Sequence, residues 1–252
     1  MRLLGRDYPG QPVTELRYPS TANNFTEFGT RVGLLDDLKR QADALQARHQ
    51  TDSATLQRHT TLVEGACTTA FRYWLELAKQ LNVLQPPSPV RYVLDSRHVL
   101  ERLPMGDFRV DARRQSTVGT PLHEHVQLFC QLKSGRALVL RRDFPTEIQK
   151  LEERLRLAGV EFQAENVRDA ETGRYQHTRF EFTADLHAGI KLLPRHDSGQ
   201  VQFQLLNLEG FETSVVELPA FEVGQASLDE LTKLVLGQPH RFYQLGRLLR
   251  RG

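Results

Sequence analysis

The chain is short of several things. Among its 252 residues are only 2 cysteines, 2 methionines and 1 tryptophan. A disulfide-dense small scaffold is excluded, because Cys67 and Cys130 are the whole thiol complement. Long hydrophobic runs are missing too. The longest, Ala137-Leu138-Val139-Leu140, falls far short of the ~20 residues a membrane-crossing helix needs. Leu3-Leu4 gives way at once to Gly5, Arg6 and Asp7, so no secretory apolar core follows the first methionine and a cytoplasmic protein is expected. Charge of one sign is not in excess: 33 basic residues face 31 acidic ones. The recurrent chemical signatures are absent as well, including the phosphate-binding G-x-x-x-x-G-K-[ST], the dinucleotide G-x-G-x-x-G, H-E-x-x-H, C-x-x-C and G-x-S-x-G.

What is present is globular composition, 39% hydrophobic and 25% charged. The fold class read from it is α+β: a helical hairpin, then a mostly antiparallel sheet with one β-α-β unit, then two C-terminal helices. Two regions are expected, an irregular N-terminus with a helical arm over 1–85 and an α+β domain over 90–252. Between them, Gln85-Pro86-Pro87-Ser88-Pro89 cannot continue a helix.

Residues 1–24 carry turn signals, and helix is expected from Phe25–Glu27 onward. Its first apolar stripe is Phe28, Val32, Leu35, Leu38, Ala42 and Leu45. The second segment is more regular. Leu56, Val63, Ala70, Leu77 and Leu84 recur every seven residues, and Thr60, Cys67, Trp74 and Leu81 follow each by four. Together they make one apolar seam. His49-Gln50-Thr51-Asp52-Ser53, with two good N-cap types, reads as the turn of the hairpin.

Beyond residue 90, alternation dominates. Val126, Leu128, Cys130 and Leu132 share one side, as do Phe180, Phe182, Ala184 and Leu186, and likewise Val201, Phe203 and Leu205. Ala137 to Leu140, a helix opened by Pro145 and closed by Gly159, and Val160 to Phe162 read as β-α-β. Ser227-Leu228-Asp229-Glu230 reads as a capping box, and the final helix is expected to carry Arg247, Arg250 and Arg251 in its last turn.

Chemistry has three candidate seats. The first is the seam: Leu56, Val63, Trp74, Leu77 and Leu81 are expected to contact a protein partner or a second copy, making the chain a non-catalytic assembly component. The second is basic. Residues 88–145 hold ten bases and six acids, and Arg109, Arg113, Arg141 and Arg142 with interleaved aromatics suit single-stranded nucleic acid. The third is His123-Glu124-His125. On a regular strand, residues two apart share a face, so both imidazoles can grip one divalent metal. This His-x-His pair resembles the metal motif of the cupin family. The family's glutamate four or five residues further on has no counterpart, since Phe129 and Cys130 stand there. Asp95-Ser96-Arg97-His98 holds the ingredients of a Ser/His/Asp device, but such devices assemble in space and not in a row. No cofactor signature and no membrane partner are expected.

Overall fold

The computed structural model describes residues 34–115 and 120–252. The expected irregular start and the first helical residues, Phe28 and Val32 among them, lie outside these. The chain divides into two compact units, residues 1–47 and 48–252. The described part of the first, residues 34–47, is helical and exposed at every position.

The expected hairpin is corrected to a single helix, α1, Leu34–Leu84. No turn forms at His49–Ser53. That stretch contains neither Gly nor Pro, and its residue types cost only about 0.5 kcal/mol each against alanine in a helix. N-cap residue types permit a helix start but do not compel one. The end is as the prolines require: α1 stops at Leu84, and Gln85 turns into positive φ at 43°.

In the second unit, a hairpin pairs β1 (Tyr92–Val93) with β2 (Val99–Leu100). The main sheet then begins with β3 (Met105–Gln115) and β4 (Leu122–Leu132). Next come β5 (Ala137–Arg142), α2 (Pro145–Leu157), β6 (Phe162–Arg168) and β7 (Tyr175–Thr183). The main sheet resumes with β8 (Leu186–Arg195), β9 (Gln200–Leu206) and β10 (Thr213–Pro219). The chain closes with α3 (Gln225–Val235), the one-turn α4 (Phe242–Leu245) and β11 (Arg247–Arg251). Six strands form one sheet in the order β11-β10-β9-β8-β4-β3, and three form another, β5-β7-β6. Every pairing is antiparallel.

Two details of the sequence reading change. The strand–helix–strand order is present, but β5 and β6 are not neighbours. β7 lies between them, antiparallel to both, so the unit is split by an inserted strand. The final expected helix is β11. Beyond α4 the edge of β10 offers unpaired backbone groups, and residues 247–251 take them up, Leu248 opposite Val216. The cap of α3 also moves by a turn. Gly224 precedes the helix, and the Ser227 hydroxyl, now inside the first turn, accepts the Gly224 N–H at 3.0 Å.

Burial follows the alternation. Val126, Leu128, Cys130 and Leu132 of β4 are covered, as are Ile190 and Leu192 of β8 and Phe203 and Leu205 of β9. The partners packed on that face come from α1, whose buried residues are Val63, Ala66, Cys67, Ala70, Trp74, Ala78 and Leu81. Trp74 meets Phe203 edge-on at 6.4 Å, and Phe203 meets Phe242 at 5.5 Å. Each such side chain withdrawn from water contributes roughly 1.5–3 kcal/mol. Polar ties fix the register of α1. The Asn82 amide donates to the Phe108 carbonyl at 2.9 Å and accepts the Phe108 N–H at 2.7 Å. The Tyr73 hydroxyl donates to Asp229 of α3 at 2.6 Å. Asn207, fully buried, joins the layers: its side-chain amide N–H groups donate to the carbonyls of Leu157 and His187, and its backbone carbonyl accepts the Tyr92 hydroxyl.

Candidate functional site

The seam residues divide along α1. Val63, Trp74 and Leu81 are at most 2% exposed, and Leu77 is half-buried against the same core. They serve the chain's own sheet, which withdraws them from any partner. Leu56 stands apart, half exposed. The burial has a simple origin. A helix carrying apolar residues in two adjacent rows must cover them, and the alternating strands downstream supply an apolar face of matching length.

From Leu34 to Arg58 every residue is exposed. This stretch is not polar throughout. Leu34, Leu35, Leu38, Leu45 and Leu56 are exposed by 50% or more. Leu35, Leu38, Ala42 and Leu45 occupy the first and fourth places of successive heptads, so they lie on one side of the helix. In the sequence this stripe was visible. What the sequence did not disclose is that the more regular seam, further along, is the one the chain consumes.

The two histidines of the proposed metal motif are separated by a β-bulge. The register of β3 against β4 slips between Arg113 and Arg114: Arg113 lies opposite His125 and Arg114 opposite His123. The extra residue breaks two-residue alternation and sends the imidazoles to different sides. His123 turns toward α1. Its Nδ1 lies 2.7 Å from the Glu64 carboxylate, which also accepts the His123 backbone N–H at 2.9 Å. The oxygen that accepts this N–H, Glu64 Oε1, also lies 2.8 Å from His196 Nε2, while His123 Nδ1 is on Oε2. His125 instead sits among Lys191, Glu124, Asp111 and Arg113. Burial, helped by the Lys191 charge, pushes its pKa down, and its Nδ1 has no hydrogen-bond partner among the described residues. No cluster of three or more His, Cys, Asp or Glu side chains able to hold a metal occurs among the described residues.

Glu64 is the most connected of these groups. Burial alone raises a carboxyl, but the bonds from His196 and His123 together outweigh it and leave Glu64 below the ordinary value. A carboxylate bridging two imidazoles and a backbone amide is a fastening between α1 and the sheet. Cys67 lies one turn further along; burial, with the Glu64 charge, pushes its thiol up to about 12. Burial does the same to Cys130. Burial thus favours the neutral thiol at both positions.

Asp95 and His98 do come together, as the two ends of a tight turn. The Asp95 carboxylate accepts the backbone N–H groups of Arg97 and His98, each at 2.8 Å, meets His98 Nδ1 at 2.8 Å, and pairs with the Arg142 guanidinium. Burial opposes the charge, yet these donors hold the carboxyl well below the usual range. The cluster ties the β1–β2 hairpin to β5. Arg154 of α2 adds to it by donating to the carbonyls of Val93 and Leu94.

The basic set is dispersed. Arg142 is taken by Asp95 and Arg113 by Glu124 at 3.1 Å. Arg141 lies on β5 opposite Arg179, and Arg109 lies on β3 opposite Phe129. The four therefore belong to two different sheets. An open groove of about 460 Å³ lies between α2 and β6–β7. Its Tyr175, Thr178 and Asn166 side chains are chained together at 3.0 and 2.9 Å, and its lining holds no histidine, cysteine or lysine.

No helix among the described residues is long and apolar enough to cross a membrane. Comparison of the chain with protein-family models, with curated proteins and with solved structures returned no match.

Proposed function

We propose that the protein is a non-catalytic assembly component whose contact element is the exposed part of α1, with Leu35, Leu38, Ala42, Leu45 and Leu56 as its apolar stripe. The reading keeps the assembly role expected of the helical arm and moves its contacts toward the N-terminal half of the helix. One observation carries it: residues 34–58 are exposed at every position yet display leucine at heptad spacing. Helices draw most of their stability from packing an apolar face, so such a stripe is suited to a surface supplied from elsewhere.

The test is Leu38→Glu combined with Leu45→Glu in the full chain. Both sites are exposed, so thermal unfolding should keep its midpoint while association, followed by sedimentation, is lost. A double variant that associates as the wild type does would overturn the proposal.

A further inference from the structure

The main sheet packs on α1 with one face, and its other face carries a different chemistry. Successive residues of a strand point to opposite sides, so the register says which side chains share that second face. On β3, Val110 and Ala112 pack on the core, which leaves Arg109, Asp111 and Arg113 on the far side. Beside them on β4 stand Phe129, Gln127 and His125. The rows continue across the sheet. Phe129 lies opposite Gly189 of β8, Gln127 opposite Lys191, and Lys191 in turn opposite Gln204 of β9. Gln204 lies opposite Val215 of β10, and Val215 opposite Arg250 of β11. Apart from His125, which is buried, these side chains are partly or fully exposed.

Cations outnumber acids on this face. Arg195 and Arg247 join Arg109, Arg113, Lys191 and Arg250, against the carboxylates of Asp111, Glu124 and Glu217. Half of the cations are engaged: Arg113 pairs with Glu124 at 3.1 Å, Arg247 pairs with Glu217 at 2.8 Å, and Arg195 donates to the Gln202 side-chain carbonyl at 3.0 Å. Arg109, Lys191 and Arg250 form no ion pair among the described residues. Phe129, set among them, has an empty place at its side. A Cβ on Gly189 would lie 2.6 Å from the Leu128 carbonyl and 3.1 Å from Phe129, so no side chain fits there without displacing backbone. The ring therefore has bare backbone as its neighbour on β8.

We propose that this face binds single-stranded nucleic acid, with Arg109, Lys191 and Arg250 on phosphates and Phe129 stacked on a base. A single strand needs cations spaced along its backbone and an aromatic platform for an unpaired base. Strands in a sheet are about 4.8 Å apart. Lys191 and Arg250, three strands apart, are then ~14 Å from one another, and Arg109 stands two strands, ~10 Å, to the other side of Lys191. The empty place beside Phe129 lies between Arg109 and Lys191, where a base can stack while its flanking phosphates meet the two cations. Gln127 and Gln204 add amides, which both donate to and accept from base edges. A duplex keeps the faces of its bases inside the stack, so the ring selects for a single strand. Of the four arginines singled out in the sequence, Arg109 and Arg113 share this face; Arg141 and Arg142 belong to β5 in the other sheet.

The experiment titrates a fluorescently labelled oligothymidine with the full chain and follows anisotropy at several salt concentrations. Affinity should fall as salt rises. Lys191→Ala with Arg250→Ala should weaken binding and flatten the slope of log affinity against log salt by about 0.7 for each cation removed. Both side chains stand outside the core, so the thermal midpoint of this variant should not move. Phe129→Leu should weaken binding about tenfold at every salt concentration with the slope unchanged, and Phe129→Tyr, which keeps the ring, should bind as the wild type does. Arg141→Ala with Arg179→Ala, on the other sheet, should also bind as the wild type does. No binding at low salt overturns the proposal, as does an unchanged slope in the Lys191 and Arg250 double variant. Equal affinity for a duplex of the same length, or wild-type affinity in a folded Phe129→Leu chain, overturns it too, and would make the face a general cationic surface for acidic partners.

Discussion

Glu64 shows how much one side chain can organise. Its carboxylate holds His123, which is almost completely enclosed, and reaches His196 in the turn after β8. Because its folded pKa is depressed, its contribution to stability is fully present above the ordinary value of 4.5 and is lost as pH falls through the folded value. Glu64→Ala should therefore cost roughly 1–3 kcal/mol at neutral pH, the penalty of leaving a buried donor unmatched. It should also flatten the acid limb of the unfolding profile. Chemical denaturation across pH checks both; an unchanged acid limb contradicts the assigned role. The two thiols make a second prediction. With both pKa values near 12, native protein should leave a thiol reagent unconsumed at neutral pH, and denatured protein should consume it at both sites. Rapid reaction in the native state would mean that one of them is accessible. Neither Glu64 nor His196 was visible as a partner of His123 from the sequence. They lie 59 and 132 residues away along the chain from the groups they meet, and no local pattern encodes such a meeting.

Strands were the most legible elements. β4, β7 and β9 bury the alternate residues that their hydropathy marks, because a sheet covered on one face has no other solution; the run from Phe180 to Leu186, read as one strand, is instead divided between β7 and β8, which belong to different sheets. Helix ends marked by glycine were legible too: Gly159 and Gly237 take positive φ just beyond α2 and α3. What failed were features decided by a neighbour. The bulge opposite Arg113 and Arg114 separates His123 from His125, and it arises from pairing, not from either strand alone. β11 is a strand because β10 is there to receive it. The uninterrupted run of α1 through His49–Ser53 reflects the small size of propensity differences. The helix also explains why heptad regularity misled. The regular rows from Val63 to Leu81 face the chain's own core, while the shorter stripe from Leu35 to Leu45 remains exposed.

For the molecule as a whole, the claim is that one helix carries two apolar surfaces with different owners. The surface from Val63 to Leu81 is part of the folded chain. The surface from Leu35 to Leu56 is exposed, and is the one proposed to be completed by association. Hydrogen exchange along α1, measured in dilute and in concentrated full-length protein, tests this most directly. Amides of residues 63–81 should be strongly protected at both concentrations, and those of residues 38–56 weakly protected when dilute and slowed on concentration. Strong protection of residues 38–56 in the dilute chain, equal to that of residues 63–81, would show that the chain covers its own stripe and would contradict the account.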